Sequence, residues 1–365
     1  MKQLTCSNCG NRVFFENLTC EACGSTLGYS PQEQTMLAFD ASSWQRLGPP
    51  GVAYRPCVNR QENVCNWMVP LDQAHEHCVS CRTTHTIPAL ATPENRGYWA
   101  ALEQAKRRLF YTLVELVLPT PSKREDPANG LSFEFLEELT PKQRVLTGHD
   151  DGVITLNVAE ADDAVREQVR AQMHEPYRTL LGHFRHEAGH YYWDLLVAPH
   201  EPWLAGFRDL FGDERADYGE ALRQHYQSGP RPDWATQYVS SYAGAHPWED
   251  WAETWAHYLH MADTADTALS FGVNALKVEI AEDDLFHSAD LWQPEDPDAG
   301  HFLDFLNGWV RLTHVLNEFS RSMGQPDTYP FALPHAVVRK LQFIHQLVAQ
   351  QRAGGAPVSA ALEGG

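Results

Sequence analysis

Leu180-Leu181-Gly182-His183-Phe184-Arg185-His186-Glu187-Ala188-Gly189-His190-Tyr191-Tyr192-Trp193 is the stretch that decides how the chain is read. Its core, His186 to His190, places two histidines four residues apart with a glutamate directly after the first. At 3.6 residues per turn, positions i and i+4 share one helix face, so both imidazoles can reach one ion. Glu187 sits beside that face, where a carboxylate can hold a metal-activated water and take its proton. Phe184, Tyr191, Tyr192 and Trp193 supply the apolar body that buries such a helix. His183, one turn before His186, reads as a packed or hydrogen-bonded histidine rather than a further ligand.

Two histidines do not complete a catalytic zinc site, which takes three protein ligands and keeps one position for water. The segment Tyr238-Val-Ser-Ser-Tyr242-Ala-Gly-Ala-His246-Pro247-Trp248-Glu249-Asp250-Trp251-Ala-Glu253-Thr-Trp255-Ala-His257-Tyr258 offers the third. Pro247 marks a helix start, and Trp248, Trp251, Trp255, Tyr258 and Leu259 form an apolar stripe at helical spacing. Glu249, Glu253 and His257 fall one turn apart on another face. Glu249 is the expected ligand, and Glu253, one turn on, is the expected acceptor that orients a ligand imidazole. Glu253 itself, His246, His257 and Asp250 compete for the ligand role.

All eight cysteines precede residue 82. Cys6, Cys9, Cys20 and Cys23 make two Cys-x-x-Cys knuckles around the strand-like Arg12-Val-Phe-Phe, the pattern of a zinc ribbon. Four thiolates close a tetrahedral site, so this zinc is expected to be structural. Cys57, Cys65, Cys78 and Cys81 suffice for a second structural zinc. The looser spacing leaves His75, His77 and His85 as substitutes and interleaving of the two quartets open. Met1-Lys-Gln-Leu-Thr-Cys6 carries no apolar signal core, so metal thiolates in a reducing cytoplasm are expected rather than disulfides. The head would recognise substrate or dock a protein partner.

The 365 residues carry a net charge of −20, with only six basic and seven acidic residues in positions 1–90. That balance argues against nucleic acid or an anionic membrane as partner, and no apolar run reaches spanning length. The expected organisation is a zinc-ribbon module over 1–90, a second domain over 91–352 and a disordered tail over 353–365. Residues 98–118 are expected as a helix ending at Pro119, and 121–130 as a polar loop. Residues 145–147 and 153–157 read as a hairpin turning through 148–152. Its second strand is either an ordinary sheet strand or an edge that pairs with an extended peptide. Asp162-Asp163 caps a helical stretch to about 181. Residues 194–235 read as acidic and loop-interrupted, with Asp213, Glu214 and Asp217 close together, a solvated acidic face rather than a cation site or a wall of the cleft. Residues 302–319 and 334–348 are amphipathic buttressing helices, and Glu282-Asp-Asp interrupts the region before them. The fold class is α+β.

Tyr242, Glu249 and Glu253, spaced by seven and four, together with His-Glu-x-Gly-His at 186–190, resemble the lethal-factor-like minigluzincin peptidases. The resemblance implies that Glu249 binds zinc, Glu253 supports the site and Tyr242 assists the tetrahedral intermediate. The 58 residues between His190 and Glu249 exceed the spacing of the compact relatives. Over nearly its full length the chain is also similar to a bacterial zinc-binding metallopeptidase family. Cys65-Asn-Trp, the run from Tyr177 to His190, and Tyr329-Pro-Phe carry that likeness. Together these resemblances imply a mostly helical zincin-like domain with a small sheet, one catalytic and two structural zinc ions, and a peptide or protein substrate. Glu187 would be the general base. The competing expectation is a zincin-fold binding protein with little turnover, docked through its head.

Overall fold

The computed structural model describes residues 1–138, 140, 144–173, 175–281 and 285–354. The chain divides into two compact units, Lys2–Phe184 with the chain end from Arg352, and Arg185–Gln351 with Met1.

The first unit begins with short antiparallel pairs. β1 (Leu4–Thr5) pairs with β2 (Arg12–Val13), and β3 (Thr26–Ser30), β4 (Thr35–Phe39) and β5 (Arg46–Leu47) form a meander. β6 (Tyr54–Pro56) pairs with β7 (Met68–Pro70). Strands this short bury little, so aromatic packing does much of the holding. Phe15, Tyr29 and Trp67 form a ring cluster that Tyr111 joins through Phe15 and Tyr29, with ring centroids 4.8 to 6.0 Å apart. Tyr111 belongs to α1 (Asn95–Glu115), whose buried face also holds Trp99, Leu102, Leu109, Phe110 and Leu113. The helix stops short of 118 because Val117 turns left-handed at φ 57°.

β8 (Thr84–Thr86), β9 (Ser132–Leu136), β10 (Gly148–Asp150) and β11 (Val153–Asn157) form a mixed sheet in the order β10-β11-β9-β8. The hairpin differs from expectation: Gly148 to Asp150 is strand, and the turn is Asp151-Gly152 alone. Both turn residues have positive φ, 45° and 75°, as a two-residue primed turn requires. β11 is paired on both sides, antiparallel to β10 and parallel to β9, so it is not an edge and cannot take a peptide as a further strand. Phe133 and Phe135 are fully buried and pack on Phe184, with Phe133 also near Phe110. α2 (Asp163–Gln172) is capped by Asp162, whose carboxylate accepts from the amides of Ala164 and Val165. It ends at Gln172 rather than near 181. Pro176 denies the helix a donor and pushes the residue before it toward extended backbone.

The second unit starts inside α3 (Leu180–Leu196) and is helical: α4 (Glu201–Leu210), α5 (Tyr218–Ser228), α6 (Trp234–Gln237), α7 (Pro247–Ser270), α8 (Ala299–Ser322) and α9 (His335–Gly354). The segment expected to be loop-interrupted carries α4, α5 and the start of α6 with loops between them, Pro202 lying in the first turn of α4 and Asp217 capping α5. The acidic trio is used locally. Asp213 pairs with Arg215, Glu214 with Arg208, and Asp217 accepts from the Glu220 amide. The core of this unit is the tryptophan stripe of α7. Trp251 and Trp255 are fully buried, 5.5 Å apart, with Tyr192 stacked on Trp255 at 4.9 Å and Phe343 beside Trp251. The interruption at 282–284 lies outside the described residues, as does the tail from 355. The fold class is α+β, helices with small sheets, the cysteine-rich segment coming first in the chain. Among the described residues no helix is long and apolar enough to cross a membrane.

Candidate active site

α3 and α7 cross at Gly189. A Cβ there would lie 3.0 Å from the Ala252 Cα and 3.2 Å from the Trp255 Cβ, so only glycine lets the two backbones meet this closely. The indole N–H of Trp251 donates to the Gly189 carbonyl at 2.7 Å and fixes the register of the crossing. That register brings His186, His190 and Glu249 together.

His186 Nε2 lies 3.1 Å from Glu249 Oε2, and His190 Nε2 lies 3.6 Å from Glu249 Oε1. A tetrahedral zinc with ligands at about 2.0–2.1 Å has ligand–ligand edges of about 3.3 Å, close to the 3.1 Å between His186 Nε2 and Glu249 Oε2, while His190 lies nearest the other oxygen of the same carboxylate. One ligand atom from each residue can be drawn with all three within 4.8 Å of one another. Glu249 Oε2 is sealed from water and has no aligned hydrogen-bond donor, an acceptor that a cation would satisfy. Glu249 is 1% exposed, His190 4% and Glu187 8%. Burial alone would raise the Glu249 carboxyl, but His186, His190 and Tyr218 outweigh it and hold the group at about 2. Burial likewise opposes a charged His186, yet the carboxylates of Glu249, Glu253 and Glu187 keep its affinity for a proton well above the ordinary imidazole value. A site that favours positive charge this strongly fits a divalent cation.

On its other ring nitrogen, His186 Nδ1 donates to Glu253 Oε1 at 2.8 Å, and the Ser240 hydroxyl donates to Glu253 Oε2 at 2.6 Å. Glu253 therefore reaches the imidazole from behind while Glu249 faces Nε2. The other competitors are occupied elsewhere. His246 caps α7, accepting from the Trp248 amide, Asp250 pairs with Lys340 at 2.6 Å, and His257 Nδ1 meets the Tyr329 hydroxyl at 2.6 Å. In the first unit, His183 faces Glu160 at 2.5 Å. Tyr242 stands near the pair, its ring 6.1 Å from that of His186, and burial raises its hydroxyl well above the usual tyrosine range.

Sequence reasoning missed Tyr218. Its hydroxyl donates to Glu249 Oε1 at 2.6 Å. It lies 31 residues before its partner, and although Tyr218, Ala221, Leu222 and Tyr226 fall at helical spacing, nothing in that spacing pairs the helix with Glu249.

In the first unit the cysteines form two separate quartets, Cys6, Cys9, Cys20 and Cys23, then Cys57, Cys65, Cys78 and Cys81, without interleaving. Sulfur separations of 3.8 Å (Cys6–Cys23), 3.6 Å (Cys9–Cys20) and 3.7 Å (Cys65–Cys78) match the edge of about 3.8 Å expected for zinc–sulfur bonds of about 2.3 Å. Of the substitute histidines, His75 faces Glu125 and His85 faces Glu134. The second quartet is wholly buried, the first has Cys9 and Cys23 exposed. Arg107 of α1 donates to the Val64 carbonyl, and its guanidinium, which burial disfavours, is held charged by Cys65, Cys81 and Glu103. That charge would offset the net negative charge of four thiolates around one divalent ion.

A family model described as "Putative zinc-binding metallo-peptidase" matches residues 95–347, and one for a zinc-ribbon domain matches residues 3–92. An uncharacterized protein of Mycobacterium tuberculosis is 43% identical over 348 residues, 95% of each chain, and one of Mycobacterium bovis matches equally. No solved structure matches the chain.

Proposed function

The chain belongs to this zinc-binding metallo-peptidase family, and from that membership we propose that it hydrolyses a peptide or related amide bond as a gluzincin-type enzyme. The observation that carries the reading is the meeting of His186, His190 and Glu249, one ligand atom from each within 4.8 Å of the others, with Glu253 on the far nitrogen of His186. Zinc held by these three residues would supply a water of lowered pKa and polarise the scissile carbonyl. Glu187, directly after His186, takes the proton of the attacking water and returns it to the leaving amine. The Tyr242 hydroxyl, which has no hydrogen-bond partner among the described residues, donates to the developing oxyanion. Glu253 holds His186 in the tautomer whose Nε2 faces the ion, and Ser240 holds Glu253.

The head, residues 1–90, takes two zinc ions as folding elements and leaves residues 91–352 to the chemistry. A reducing compartment keeps cysteines as thiols that can hold zinc, so the cytoplasm is the proposed location. A head surface that docks a protein partner remains part of the proposal. The test is a screen of zinc-loaded protein against a peptide library, with chelator and after zinc is restored. Cleavage that stops with chelator and returns with zinc is expected. No cleavage of any peptide by protein carrying its full metal complement would leave a binding protein instead.

A further inference from the structure

Tyr218 opens α5 directly after the capping Asp217. Its ring packs edge-on against His246 at 5.2 Å and Trp248 at 5.9 Å, the two residues that lead α7 toward Glu249. From there its hydroxyl donates to Glu249 Oε1 at 2.6 Å. The two oxygens of this buried carboxylate are therefore unlike. Oε1 is held by a charge-assisted hydrogen bond and has His190 Nε2 at 3.6 Å, while Oε2 faces His186 Nε2 at 3.1 Å without an aligned donor. A carboxylate free on both oxygens can take a metal through both and fill two coordination positions. Catalytic zinc needs one of those positions for water.

We propose that Tyr218 is a positioning residue that divides the Glu249 carboxylate, holding Oε1 so that Oε2 alone is offered to the metal and a coordination position stays open. This rests on the zinc reading above. The two tyrosines near the site then have different duties: Tyr218 is committed to a protein carboxylate, and Tyr242 is left for the substrate.

The test uses full-length protein, with zinc affinity of the weakest site measured against a chromophoric chelator. Cobalt replaces zinc for spectroscopy, and the contribution of the cysteine sites is removed by subtracting the spectrum of His190→Ala. Tyr218→Phe keeps the ring packing and removes only the donor. The expected result is an affinity about 10- to 100-fold weaker together with a less intense cobalt spectrum, the mark of added coordination. Unchanged affinity and spectrum would overturn the proposal. Weaker affinity with an unchanged spectrum would also overturn it, because Tyr218 would then be packing alone. If Glu249→Ala and His190→Ala each retain all the metal of the parent, the zinc reading itself has failed, independently of Tyr218.

Discussion

Glu249 and Glu253 are chemically alike, one helical turn apart and both turned toward His186, so geometry has to separate them. Glu249 faces Nε2 at 3.1 Å, and Glu253 faces Nδ1 at 2.8 Å. An imidazole binds one ion through one nitrogen, and the other nitrogen then needs an acceptor. Glu249→Ala is therefore expected to abolish the third metal, whereas Glu253→Ala keeps it with affinity about 10- to 100-fold weaker. Titration of each variant with zinc in competition with a chelator measures both, and the reverse order would exchange the two roles. At this scale the sequence was informative where spacing encodes a face: His186, Glu187 and His190 within one helix, Glu249 and Glu253 within another. It was silent on Tyr218, because a hydrogen bond between α5 and α7 leaves no periodic trace in either.

Elements carry the site through one close approach. Gly189 leaves no room for a side chain against Ala252 and Trp255. Gly189→Ala is expected to force α3 and α7 apart by a few tenths of an ångström, lower stability by about 1–3 kcal/mol and weaken metal binding. Thermal melting and zinc titration of the variant would show it; a variant equal to the parent in both would mean that the crossing is not tight. A second element-scale prediction concerns the β10–β11 hairpin. Burial pushes the His149 imidazole down from 6.5 to about 4, and its Nε2 accepts from the Gly152 amide. Between those two values the unfolded chain binds a proton that the folded hairpin refuses. Stability contributed by neutral His149 is therefore full above pH 6.5 and is lost as pH falls toward 4, by up to about 2 kcal/mol for a group still partly exposed. His149→Gln should flatten that part of the stability–pH curve, and an unchanged slope would remove His149 as its cause. Helix starts were legible from Asp162 and Pro247, which act locally. The end of α2 was not, because apolar residues continue past Gln172 and only Pro176 reveals the break.

For the molecule as a whole, the two cysteine quartets are placed where metals would do work that apolar area cannot. The strands of the head are two to five residues long, and its two quartets of thiolates tie together segments that are far apart in sequence. Elemental analysis is expected to find three zincs per chain, and one zinc would contradict the assignment of the head. Chelation should strip the site of Cys6, Cys9, Cys20 and Cys23, with two exposed thiols, before the buried site of Cys57, Cys65, Cys78 and Cys81. Release in the opposite order, followed by the thiol reactivity of each quartet, would show that burial does not control exchange. Composition marks where the cysteines stop, near residue 82. It does not mark how the chain compacts, since α1 joins the head through Tyr111, Arg107 and the aromatic cluster around Phe15 and Tyr29. Contacts between distant segments decide that, and periodicity does not report them.

Glu187 is assigned the proton transfer in hydrolysis at a zinc held by His186, His190 and Glu249. Turnover of a cleaved peptide by Glu187→Gln, compared with the parent at equal zinc content, tests it most directly. The expected result is an unchanged metal count and melting temperature, with the cleavage rate down by about 10²- to 10⁴-fold. A variant that keeps its zinc and cleaves at the parental rate would contradict the account.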